Sequence, residues 1–121
     1  MSDKSKLRPK LNLPALSGST LDENFQNETL RPILKLQNEI YLTLFTDYAL
    51  RQHKDFQAST PEQKRNFVTE SFQKDHVLKN MFIGITIGML TAKELETYLL
   101  NSKNHHKRIT NMIVERILKQ L

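Results

Sequence analysis

The chain contains no cysteine and only three glycines, Gly18, Gly84 and Gly88, among its 121 residues. Without cysteine there is no disulfide framework, no thiolate metal site and no cysteine nucleophile. A reducing cytoplasm is the compartment such a composition suits. Glycines this sparse provide no phosphate-cradling loop, and no Gly-x-Ser-x-Gly nucleophile elbow occurs. Long apolar runs are also missing. The most apolar stretch, Met81 to Leu90, is interrupted by Gly84, Thr86 and Gly88 and falls well short of the ~20 residues that cross a bilayer. No membrane association is expected. The N-terminus interleaves Lys4, Lys6, Arg8 and Lys10 with Pro9 and Pro14, which is not the pattern of a signal peptide.

What remains is globular in composition: 38% apolar and 26% charged. The net charge of +5 is unevenly placed. Residues 1–19 carry +3, residues 101–121 carry +4, and the stretch between carries −2. Residues 1–19 read as a flexible basic tail, since both prolines oppose helix and Ser17-Gly18-Ser19 is linker chemistry. Leu7, Leu11, Leu13 and Leu16 are more apolar than a linker needs, but deleting the tail is expected to leave helicity and melting unchanged. Residues 20–121 then form one helical domain.

Nothing alternates with a period of two, so the fold class is all-α, a compact bundle of about five helices. Leu21 to Thr29 forms a short acidic turn or helix. Thr29 caps the next helix, with Pro32 tolerated in its first turn, and that helix runs to about Lys54 at the centre of the bundle. Its apolar face holds Ile33, Leu34, Ile40, Tyr41, Leu44, Phe45 and Tyr48. Thr60-Pro61-Glu62-Gln63 starts the second helix as a capping box with proline at the first position. Asp75 caps the third, and Gly88 ends it in the left-handed conformation. Gly84 allows close approach to the central helix. Thr91 and Glu94 make a second capping box for a short fourth helix. Ser102 caps the fifth, which buries Ile109, Ile113 and Ile117, with His106 on the same side.

Few residues pattern as chemistry. His105 and His106 are adjacent, so on a helix they point about 100° apart and cannot share a metal. Carboxylate neighbours such as Glu94 and Glu96 lie on different faces. No catalytic residue, metal ligand or cofactor is assigned, and the chain reads as a non-enzyme. Gln37 points into the apolar arc of the central helix and is the candidate anchor for a ligand, because a buried amide must find partners. His105, Arg108, Arg116 and Lys119 fall along one stripe of the last helix, with Met112 in its centre and Lys103 and Lys107 nearby. Such a stripe is the candidate nucleic-acid face, for weak and non-specific contact with phosphates. The segment Leu90 to Ser102 echoes the first helix of a helix-turn-helix. It departs from that motif at Glu96, Leu100 and Asn101. Leu42 and Leu50 lie away from the apolar arc of the central helix and are the candidate partner contacts.

Phe25-Gln26-Asn27-Glu28-Thr29-Leu30-Arg31-Pro32-Ile33-Leu34-Lys35-Leu36-Gln37-Asn38, the later Gly84-x-x-x-Gly88 and Asn111-Met112-x-x-Glu115-Arg116 resemble a small bacterial helical family. The resemblance covers residues 25–121. Some members of that family carry a glyoxalase label, but the resemblance implies no established activity. The glyoxalase fold is a mixed sheet structure with His and Glu metal ligands, and neither its strands nor its ligand spacing is present in this sequence. The expected function is therefore protein–protein interaction, with a protein partner or a homo-oligomer, and nucleic-acid accessory binding as the alternative.

Overall fold

A helix leaves its first amides without partners, so the residue before it must supply an acceptor. Two segments do so reciprocally. Thr60 Oγ1 accepts from the Gln63 amide at 3.1 Å while Gln63 Oε1 accepts from the Thr60 amide at 2.9 Å. Thr91 and Glu94 repeat the pattern at 3.2 and 2.9 Å. Asp75 Oδ1 accepts from the Leu78 amide at 3.0 Å. Replacing Thr60 or Thr91 by Ala is expected to cost ~1 kcal/mol each in denaturant unfolding; no change at either would mean that helix begins elsewhere.

The computed structural model describes residues 4–8 and 21–121, and these contain helices and no strand. A 3₁₀ turn, Lys4–Leu7, comes first, followed by α1 (Leu21–Phe25), a π-helical turn (Gln26–Leu30) and α2 (Arg31–Leu36). Then come α3 (Asn38–Gln52), a 3₁₀ turn (Phe56–Ala58), α4 (Pro61–Lys74), α5 (His76–Ile87), α6 (Ala92–Leu99) and α7 (Ser102–Lys119). The π turn joins α1 and α2 into one rod, so the described residues form six helices where about five were expected.

Pro32 shapes this rod differently from the expectation. Thr29 caps nothing; it lies inside the π turn. Proline lacks an amide donor and crowds the carbonyl four residues back. The wider π turn absorbs that mismatch, with the Arg31 amide donating to the Gln26 carbonyl. The second difference is a bend. Gln37 takes φ −91° and ψ 8°, a bridge conformation that interrupts the helix between α2 and α3. The bend resets the helical phase. Pro32, Ile33 and Leu34 are buried before it, and Tyr41, Phe45 and Ala49 after it. Ile40, expected on the apolar face, is 46% exposed.

The core is rich in rings. Phe45 stacks on Phe72 at 5.7 Å and meets Phe56, Phe67 and Tyr48 at 6.4, 6.0 and 5.8 Å. Tyr41 stacks on Phe82 at 5.7 Å. Its hydroxyl lies 2.7 Å from Thr86 Oγ1, which donates its own proton to the Phe82 carbonyl at 2.9 Å. Thr86 has one proton, so Tyr41 is the donor. Burial pushes the Tyr41 phenol up to about 12, against the opposing effects of the Thr86 hydrogen bond and the Arg116 charge. The helix at the centre is α7, not the α2–α3 segment read as one long helix. It packs on α3, α4, α5, α6 and the π turn, burying Ile109, Met112, Ile113 and Ile117. Met112, expected both in the centre of the basic stripe and flanking the core side, belongs to the core. Gly88 also departs from expectation: its φ of −61° is right-handed, and α5 ends through tightened turns, the Met89 and Leu90 amides donating to Thr86 and Ile87.

Arg8 anchors the N-terminal segment to the helical domain. Arg8 donates to both carboxylate oxygens of Glu94 at 2.8 and 2.7 Å, and to the Met89 carbonyl at 2.7 Å. Its side chain is only 7% exposed. Glu94 therefore closes its own capping box and receives Arg8 at once. These hydrogen bonds, with Arg8's contribution the largest, hold its carboxyl below the usual range. Leu11, Leu13 and Leu16 lie outside the described residues.

Candidate functional site

The expected basic stripe of α7 does not come together. His105 is fully buried. Its ring lies 5.3 Å from Tyr98, nearly parallel, and 5.0 Å from Phe25. Nδ1 lies 3.4 Å from Gln26 Nε2. With the amide donating, Nδ1 accepts, and the ring proton sits on Nε2. That nitrogen is 3.3 Å from Asp22 Oδ1, yet it makes no hydrogen bond of acceptable geometry, so the approach is electrostatic and poorly aligned. The Tyr98 hydroxyl is likewise buried without a partner, and burial pushes that phenol well above its ordinary range. His106, read as a surface histidine with the core side as the alternative, is exposed.

The other members of the stripe separate into two hollows. Arg116 and Lys119 share one of about 260 Å³ with Arg31, over Leu34 and Met112. Arg116 also approaches Asn38 Oδ1 at 3.4 Å. Arg108 lines another, of about 230 Å³, beside Thr69 and Val114. Glu115 enters both and offsets part of their positive charge. Gln37 is half-buried at the bend, Leu42 is half-buried on α3, and Leu50 is 41% exposed. These three lie on the α2–α3 segment and are separate from the stripe.

A different basic face emerges between α5 and α7. Lys79 from α5 and Lys103, His106 and Lys107 from α7 line a groove of about 430 Å³. Phe72 and Ile83 provide apolar wall, while Gln73, Asn80, Thr110 and Asn111 add neutral polar groups. Among the described residues no carboxylate lines it. Desolvation first, then the Lys79 charge and His105, hold the His106 imidazole below the usual histidine range. The spacing Lys103-His106-Lys107 on one helix face was readable in advance; the contribution of Lys79 depends on how α5 packs.

The outward face of α5 is the other conspicuous surface. Val77 is 80% exposed and Met81 43%, one turn apart, with Gly84 and Gly88 exposed beside them. None of the four carries charge. A Cβ at Gly84 would meet nothing within 4 Å, so this glycine opens to solvent and does not admit the central helix. Among the described residues no helix is long and apolar enough to cross a membrane.

Comparison with protein families, curated proteins and solved structures finds no match to this chain.

Proposed function

We propose that this chain is a non-enzymatic, cytoplasmic protein-interaction module, and that its partner, a second copy included, docks on the outer face of α5. The observation that carries this reading is the uncharged, solvent-facing stripe of Val77, Met81 and Gly84. A solvent-facing helix ordinarily presents charged and polar side chains, and an uncharged apolar stripe is a surface that gains by being covered. The absence of a side chain at Gly84 keeps the stripe low, so another helix can approach its backbone. Several buried polar groups already have structural work: Thr86 and Tyr41 bond each other, and Glu94 holds a helix start. Nucleic acid, the alternative partner, is expected to bind weakly and without sequence preference, because Arg108 and Arg116 each share a hollow with Glu115.

Gly84 gives a clean test, because a side chain there meets open space. Gly84→Ala should stabilise the domain by ~0.5–1 kcal/mol, since glycine is a poor helix residue. Gly84→Arg should leave the fold intact while placing charge in the stripe. Light scattering across a concentration series, and cross-linked recovery from native lysate, should show association in the wild type that Gly84→Arg loses. A wild type that stays a monodisperse monomer at high concentration, with identical recoveries for both proteins, would sink the proposal.

A further inference from the structure

We propose that the groove between α5 and α7 binds a small phosphorylated molecule, its phosphate held by Lys79, Lys103 and Lys107 and its organic part resting on Phe72 and Ile83. The size is suitable: about 430 Å³, within the ~300–1,000 Å³ of small-molecule sites. The charge is of one sign. Ammonium groups enter from two helices, and among the described lining residues there is no carboxylate.

The position of these lysines on α7 argues that an anion belongs there. Lys103 and Lys107 stand one turn apart, a like-charge pair that weakens a helix. Both lie near the N-terminus of α7, the positive end of the helix dipole, and the first turn carries no acidic residue. The N-cap residue, Asn101, makes no capping hydrogen bond; its amide donates instead to Asp22 Oδ2 at 2.6 Å. The other oxygen of Asp22 faces buried His105, so that carboxylate serves the α1 side of the helix and does not line the groove. Asp22 thus meets the start of α7 on the far side, while in the groove the cations converge over an apolar floor with no carboxylate among the described lining residues. A phosphate dianion supplies the negative charge and accepts from several donors together.

The same geometry favours a compact ligand over a strand of nucleic acid. A strand needs a continuous basic track, whereas the next cations along α7, Arg108 and Arg116, open into hollows that contain Glu115. His106 is a built-in reporter. It lies in the groove with Lys79, Lys103 and Lys107, and its ring is 5.3 Å from that of Tyr98 on α6. Desolvation first, then Lys79 and His105, disfavour its protonation, and a bound dianion acts in the opposite direction.

The full chain should be titrated with phenyl phosphate, inorganic phosphate and a single-stranded oligonucleotide while the histidine ring resonances are followed by NMR. Phenyl phosphate should saturate at one per chain and raise the His106 midpoint, leaving exposed His53 unmoved. It should bind about tenfold tighter than inorganic phosphate, through its ring on the apolar floor. Lys79→Ala and Lys107→Ala should each weaken it by about tenfold with melting unchanged, and Lys107→Arg should retain binding. Three results overturn the proposal: an unshifted His106, equal affinity for the two phosphates, or an oligonucleotide that binds tighter and displaces phenyl phosphate.

Discussion

Phe45→Ala is expected to lower the unfolding free energy by about 3–5 kcal/mol, the range for truncating a buried phenylalanine. The ring is 1% exposed and faces four others, stacked on Phe72 and tilted against Phe56, Phe67 and Tyr48. Those neighbours come from α3, α4 and the Phe56–Ala58 turn, so no single shift can close the hole. Both the apolar transfer and the cavity then count against the variant, and the offset and edge-on ring pairs add ~0.5–1.5 kcal/mol each at best. Against a total stability of about 5–15 kcal/mol, the loss takes the domain near its folding threshold. Urea unfolding followed by circular dichroism measures it. A cost below about 1 kcal/mol, typical of surface positions, would mean the cluster is not packed as described.

Arg8→Ala carries the second large expectation, a loss of about 2 kcal/mol, as for hydrogen bonds to charged groups. The guanidinium is almost fully buried and makes a bidentate pair with Glu94 plus a bond to the Met89 carbonyl. A truly interior pair would cost more to break. Here Glu94 keeps water on one side, which caps the penalty. Glu94→Gln isolates the ion pair, since glutamine still closes a capping box, as Gln63 does at Thr60. If the pair dominates, the double variant should cost little more than either single change.

Acid gives an independent check. The carboxyl of Glu94 is held below its usual range, so its contribution is complete above the ordinary glutamate value of ~4.3 and is lost as pH falls through the depressed folded value. Asp75 behaves with the same sign, its carboxyl lowered first by the Leu78 amide and then by the Tyr48 hydroxyl. Arg8→Ala should therefore shift acid unfolding to higher pH. An unchanged melting temperature and an unchanged acid transition would instead return residues 1–19 to the independent tail expected from sequence.

Helix starts were legible because their hydrogen bonds close within three residues. The two capping boxes and the Asp75 cap need no distant partner, and Val68, Phe72, Leu78 and Phe82 follow as the buried sides of α4 and α5. The all-helical class came from the same local periodicity. The phase of α7 was harder to read. Shifting its buried arc by one residue exchanges His105 for His106, and both arcs contain Ile109, Ile113 and Ile117. Sequence by itself therefore determined the helical class, most boundaries and the apolar sides of α4 and α5 apart from Met81, which patterns with the buried side of α5 but is 43% exposed. Tertiary packing decided which histidine is buried, that Arg8 meets Glu94, and that Lys79 joins the α7 lysines, because each of these depends on side chains distant in the chain but brought together by the fold.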